Sequence, residues 1–286
     1  MQRKTPVKGT KQVGLRDFIA AGRKQRGPRV LLADIETFPI EGYVWNLWKQ
    51  NIGLDQIKQD WTLMSFAAKW LGQPEVYYDD VSEKRDVRDD DSLLRDVHRL
   101  LSNVDILVAH NGQRFDLPKL KARMAIRRLS PLPPIKVLDT LLLNRRAFGF
   151  TSQRLAYVSD QFAEQAKDYH KNFPGFKLWR ECLAGNRKAW QECREYNIID
   201  VTSMEETYKA LRGWYEGAPN FGPYISPSKD GAVVCPTCGS EHVERRGSRE
   251  TQVGIYARFH CLDCGGWSRG RYQAVSRKLR EHILTN

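Results

Sequence analysis

The sequence predicts an α/β fold with a mixed sheet flanked by helices, joined to a small β unit clasped by cysteines. Two patterns carry that prediction. Short apolar strands come first and then alternate with amphipathic helices. Beyond a Pro- and Gly-rich stretch stand two Cys-x-x-Cys pairs. With 286 residues, 41% of them hydrophobic, the chain can bury one large core and carry a smaller appendage.

In the N-terminal arm, 1–27, GLRDFIAAGRK spaces Leu15, Phe18 and Ile19 as one face of a short amphipathic helix that docks on the body. Strands are expected near 29–35, 42–48, 62–70 and 75–78, where Gly, Pro and Asn punctuate short apolar or aromatic runs. An Asp-rich start then opens a helix with Leu93, Leu94, Val97, Leu100 and Leu101 on one stripe. DILVA, ending at Ala109, reads as a short buried strand; the helix after it carries Pro118 in its first turn. IKVLD is another strand, and Asp139 suits the N-cap of the helix that follows. The rest of the body, 28–215, reads as helical, with Cys182 and Cys193 as core thiols. EGAPNFGPYISPSKDG, 216–231, has linker composition and leads to the cysteine unit and basic tail, 232–286.

The net charge of +12 is unevenly placed. Residues 1–29 carry +8, residues 231–286 carry +4, and the body between is neutral. Two basic extensions on a neutral body suit a polyanion, or a solubilising role. No run is long enough for a membrane span and the N-terminus lacks a signal-peptide core, so no membrane association and a cytoplasmic setting are expected.

The chemistry starts at ADIETFP. Residues two apart in a strand share a face, so Asp34 and Glu36 point the same way, which is unfavourable unless they share a proton, meet a cation or stand in water. Asp116 stands at a loop-to-helix junction in NGQRFD. Asp200 lies on a long helix with Tyr196 four residues earlier on the same face. If these four acids converge they suit Mg²⁺ or Mn²⁺, and a pair of such ions serves in-line displacement at phosphorus. Cys235, Cys238, Cys261 and Cys264, two pairs separated by 22 residues, suit a four-thiolate structural Zn²⁺ in a β ribbon. Arg245, Arg246, Arg249, Arg258, Arg269 and Arg271 make the ribbon basic, and Tyr256, Phe259 and Trp267 serve either as core or as stacking platforms. The ribbon therefore grips nucleic acid or docks a protein partner.

DIET, NGQRFD and YNIID occur in the order of the three motifs of the DEDD superfamily of 3′–5′ exonucleases, and over roughly 28–212 the chain resembles its tyrosine branch, especially stand-alone, often phage-encoded members. The resemblance implies a ribonuclease H-like fold and hydrolysis of phosphodiester bonds from a single-stranded 3′ end, DNA or RNA, in the host cytoplasm if phage-encoded. It implies that Asp34 bridges two metals, that Glu36 and Asp200 complete the nucleophile side, that Asp116 serves the other ion, and that Tyr196 orients the water. Where some members place a His, this chain has Glu195. Thr37 and Phe38 follow the first motif where relatives contact the terminal nucleotide, with Phe38 stacking on a base; Asn111 and Phe115 bound the site, or are a turn-former and a core aromatic. A structure-selective endonuclease and a non-catalytic binder remain as alternatives, as does a replication or repair partner on the ribbon. KDYHKNFPGFKLW interleaves Lys167, Lys171 and Lys177 with Tyr169, Phe173 and Phe176, as a nucleic-acid contact or a packed loop would. His98, His110 and His170 read as structural or exposed.

Overall fold

Val30, Leu31 and Leu32 are buried on both faces of one strand, which requires a sheet covered on both sides. The computed structural model describes residues 10–164, 172–229 and 231–285; Lys167, Tyr169, His170 and Lys171 lie outside the described residues. In chain order the body contains β1 (Lys11–Gln12), α1 (Leu15–Arg23), β2 (Val30–Thr37), β3 (Glu41–Gly42), β4 (Ile57–Gln59), β5 (Leu63–Trp70) and β6 (Glu75–Asp80). Then come α2 (Asp91–Leu101), β7 (Ile106–Ala109), α3 (Asp116–Ile126), β8 (Lys136–Asp139), α4 (Thr140–Ala147), α5 (Leu155–Phe162), α6 (Lys177–Leu183) and α7 (Arg187–Leu211).

The main sheet is six-stranded, ordered β1-β6-β5-β2-β7-β8. β2, β5 and β6 form an antiparallel meander, whereas β7 and β8 join in parallel, as their intervening helix requires. One face of β2, through Leu31, Ala33 and Ile35, packs against Leu93, Leu94, Leu100 and Leu120 of α2 and α3. The other, through Val30 and Leu32, meets Ile198, Val201 and Met204 of α7. On that second face the buried Lys69 ammonium pairs with Glu205 of α7 at 2.9 Å. α1 lies on the first face: Phe18 stacks on Trp70 at 5.4 Å, and the Trp70 indole donates to the Phe18 carbonyl at 2.8 Å. β1 runs parallel to β6 and closes that edge.

The strand predicted at 42–48 does not form. Only Glu41 and Gly42 pair, with β4, in a separate two-stranded ribbon. Both sides of β2 are already taken by β5 and β7, so an alternating aromatic run inserted between β2 and β5 has no place in the sheet.

Past Tyr215 the linker is partly packed: Phe221 is buried and its amide donates to the Pro236 carbonyl at 2.8 Å. The ribbon is three antiparallel strands, β9 (Val243–Thr251), β10 (Gly254–Cys261) and β11 (Trp267–Gln273), in the order β11-β10-β9, followed by the short α8 (Arg277–Arg280). Among the described residues from 232 onward, only Cys235, Gly254, Cys261 and Gly266 are buried. Tyr256 and Trp267 lie under the guanidinium groups of Arg269 and Arg258, at 4.2 and 4.9 Å, rather than in an apolar core. Among the described residues no helix is long and apolar enough to cross a membrane.

Candidate active site

Side-chain alternation along β2 puts Asp34 and Glu36 on the face that Leu32 shares with α7. Asp200 of α7 reaches the same point, and one carboxylate oxygen from each of Asp34, Glu36 and Asp200 lies within 4.8 Å of the others. Asp200 is buried and the two strand acids are half-buried.

Two neighbours hold these carboxylates. Asn197, fully buried, donates from Nδ2 to Asp34 Oδ2 at 2.6 Å, while its own Oδ1 accepts from Ser65 Oγ at 3.0 Å. Ser65 pairs with Glu36 across β2 and β5, so a single chain of hydrogen bonds ties the helix to the strand that bears both acids. Trp179 of α6 donates its indole N–H to Glu36 Oε2 at 3.2 Å. Neither residue was anticipated from the sequence. Asn197 had a usable signal, a polar side chain three residues before Asp200 on one helical face; Trp179 had none.

Tyr196 lies one turn before Asp200. Burial first, and then the charges of Asp200, Glu36 and Asp34, push its phenol far above the ordinary value of 10. Its hydroxyl therefore keeps its proton, which suits a hydrogen-bond donor and excludes a base.

Asp116 opens α3. β7 pairs with β2 only as far as Leu32 and Val108, and the buried Asp116 carboxylate lies near enough to the Ile35 amide to feel its dipole. Burial pushes Asp116 up to about 7; backbone amides, its own and that of Ile35, pull the other way, and Asp139 adds a like charge. Asp116 does not join the other three acids within the 4.8 Å radius. Asp139 is the N-cap of α4, accepting from the amides of Leu141 and Leu142, and it also takes those of Asn111 and Gln113, each at 3.0 Å. It thus fixes the turn that delivers Phe115 and Asp116, in which Asn111 has φ of 72°. Beside it, His110 contacts Thr140 Oγ1 and the Gln153 carbonyl, each at 2.9 Å, a structural role.

Thr37 is half-buried at the end of β2 and Phe115 is 38% exposed beside Asp116. Phe38 is a correction. It is fully buried, edge-on to Trp190 at 5.9 Å, and is not available to a base. The register shifts between Glu36 and Thr37, β2 ends there, and the chain turns Phe38 into the cluster that holds Leu31 and Ile35.

In the ribbon Cys235 and Cys264 bring their Sγ atoms to 3.7 Å, and Cys238 and Cys261 to 3.6 Å. Four thiolates about a tetrahedral Zn²⁺, with Zn–S of about 2.3 Å, stand roughly 3.8 Å apart, so the donor set fits that ion.

Residues 52–212, more than half of the chain, match the family model described as the RNase_H superfamily. The match takes in Asp116, Tyr196 and Asp200 and begins after the strand bearing Asp34 and Glu36. A search of curated proteins found no match. Among solved structures the chain is similar to the family B DNA polymerase from the hyperthermophilic archaeon Pyrobaculum calidifontis, with TM-score 0.46 and 15% identity over 64% of this chain. It spans about a quarter of that polymerase, 24% of its length. It is also similar to RNase D of Trypanosoma brucei, with TM-score 0.44 and 18% identity over 78% of this chain and 74% of that one.

Proposed function

The chain belongs to the RNase H superfamily, and from that premise we propose that it is a metal-dependent 3′–5′ exonuclease acting on single-stranded ends, with DNA favoured over RNA. The observation that carries the reading is the convergence of Asp34, Glu36 and Asp200 beside Tyr196. Three carboxylates this close suit a hard cation among them, and the oxygen-only donor set fits Mg²⁺ or Mn²⁺. Asp34, Glu36 and Asp200 would hold one ion, and Asp34 with Asp116 a second. Bound there, the ions supply an acidified water and neutralise charge building on the phosphoryl oxygens.

The chain's own groups do the positioning. Asn197, backed by Ser65, fixes Asp34, and Trp179 fixes Glu36, so the acids keep one geometry through turnover. The Tyr196 hydroxyl orients the water for attack on phosphorus in line with the departing 3′-oxygen, releasing a nucleoside 5′-phosphate. The body at 28–215 carries this chemistry. Cys235, Cys238, Cys261 and Cys264 hold a structural Zn²⁺, and the ribbon's arginines assist substrate binding.

The test is a product ladder from 5′-labelled DNA and RNA of matched sequence, with free and blocked 3′ ends, in Mg²⁺. Stepwise shortening of free-ended strands alone, faster on DNA, is expected. Cutting of blocked strands would replace the reading with an endonuclease, and binding without cleavage would leave a binding protein.

A further inference from the structure

Between β2 and β5 the chain leaves the sheet in an excursion whose large side chains stand in solvent. Trp45 is 91% exposed, Leu47 88%, Trp48 84% and Tyr43 67%. Indole rings held in water mark an interaction surface. The excursion is also built. The Tyr43 amide donates to the Gln56 carbonyl at 2.8 Å, the Gln56 side chain returns a bond to the Tyr43 carbonyl at 3.0 Å, and the Trp45 amide bonds Gln50 Oε1 at 3.2 Å. Its neck is pinned by Arg88, which donates to the carbonyls of Pro39 and Asp60.

That neck is continuous with the candidate active site. At its far end Trp61 lies under the Lys119 ammonium, 3.7 Å from the ring centroid, and the same ammonium stands 5.3 Å from the ring of Phe115. Phe115 immediately precedes Asp116. A ring, a cation and a second ring thus lead from Asp116 to the neck of the excursion.

We infer that the excursion of residues 43–54 is a base-stacking platform for the single strand entering the site. The inference rests on the exonuclease reading and names how that substrate is held. Successive bases stack on exposed rings whatever their sequence, and an ammonium between rings, with the Arg123 guanidinium 5.7 Å from the same Trp61 ring, suits the phosphodiester that links two stacked bases. The excursion itself carries one charge, Lys49, against four large exposed side chains, so its share of the affinity comes from ring contact more than from phosphate neutralisation. An apolar protein segment is the rival occupant of such a surface. Continuity with the acids through Phe115, Lys119 and Trp61 favours the strand.

The experiment uses the full chain, zinc-replete and without Mg²⁺, and follows the anisotropy of a labelled oligothymidine and of the same backbone carrying abasic sites. Trp45→Ala combined with Trp48→Ala should weaken binding of the oligothymidine by about ten- to a hundredfold, in the range for losing one or two stacked bases. Trp45→Phe with Trp48→Phe should restore most of it. The abasic strand should bind wild type and the alanine variant alike. An alanine variant that binds oligothymidine like wild type overturns the platform and gives the surface to an apolar protein segment, and a loss of equal size on the abasic strand overturns it as well, because the contact would then not be with the bases. Wild type that binds no strand at all would overturn the exonuclease reading itself, a result distinct from either.

Discussion

The two candidate metal centres are built in opposite ways. Asp34 and Asp200 are brought together from a strand and a helix far apart in the chain, on a frame whose two faces are filled by apolar packing. The four cysteines fall within one short segment whose buried residues are little more than two of those cysteines and two glycines. The first centre is a charge repulsion that the fold holds in place. The second is itself the fold of its segment. Removing the cation should therefore cost activity in one case and structure in the other.

Zinc withdrawal should have the largest effect. Structural Zn²⁺ contributes on the order of 10 kcal/mol or more to small thiolate domains. Cys261→Ser, or a zinc chelator, should abolish amide protection across β9 to β11 while leaving β2, β5 and β7 protected in hydrogen exchange. Loss of protection in the main sheet as well would show that the ribbon is part of the frame.

The converse follows at the acids. Asp34→Ala should lower cleavage by more than about 10³-fold, since a bound cation contributes several kcal/mol of transition-state stabilisation. The same variant should unfold no earlier than wild type in Mg²⁺-free buffer, because it removes a like charge. Early unfolding would mean that the Asn197–Asp34 bond matters more to stability than the repulsion.

Much of this division was legible in the sequence, because its signals are local. Two-residue alternation put Asp34 and Glu36 on one face, four-residue spacing put Tyr196 beside Asp200, and the cysteine pairs stand close in the chain. What could not be read depends on distant partners. Phe38 looked like a site residue because it follows DIET, yet a register shift and a turn send it into the core. Residues 42–48 alternate like a strand, but β5 and β7 leave no vacancy beside β2. Trp179 meets Glu36 only because α6 packs against α7, and no spacing rule reports that.

Glu205 sharpens the comparison from within the frame, where an acid is paired rather than crowded. Burial works to raise its carboxyl, but bonds from Lys209, Lys69 and the Gly72 amide outweigh that and hold it below the ordinary 4.5. Glu205→Gln leaves the Lys69 ammonium buried without its charge partner and should cost about 3–5 kcal/mol in urea unfolding at neutral pH. The wild-type advantage should be complete above pH 4.5 and fade as pH falls through the lowered folded value. Asp116 runs the other way. With its carboxyl raised to about 7 in the folded, Mg²⁺-free protein, stability should decline as pH rises from about 4 to 7, and Asp116→Asn should flatten that slope. Parallel slopes for the two variants would erase the distinction between paired and crowded acids.

The smallest expected effect is at Tyr196. Tyr196→Phe removes one hydrogen bond and no carboxylate, so cleavage should fall by about 10²- to 10³-fold while Mg²⁺ affinity, measured by calorimetry, stays near wild type. A matching loss of metal affinity would make the phenol part of the cation site rather than a neighbour of it.

β1 and α1 have a consequence for the protein's behaviour in solution. The outer edge of β6 would be a row of unpaired amides and carbonyls, the kind of template on which other chains add strands. Lys11 and Gln12 cover part of it, held there because Gly22 lets α1 lie flat against the Trp70 indole, where any β-carbon would collide. Trimming the chain to residue 28, or placing alanine at Gly22, would uncover that edge. The expected symptom is concentration-dependent self-association, visible by light scattering at temperatures below the thermal unfolding that the lost Phe18–Trp70 packing brings earlier, so that a basic segment suited to gripping polyanions would double as the guard that keeps neighbouring molecules apart.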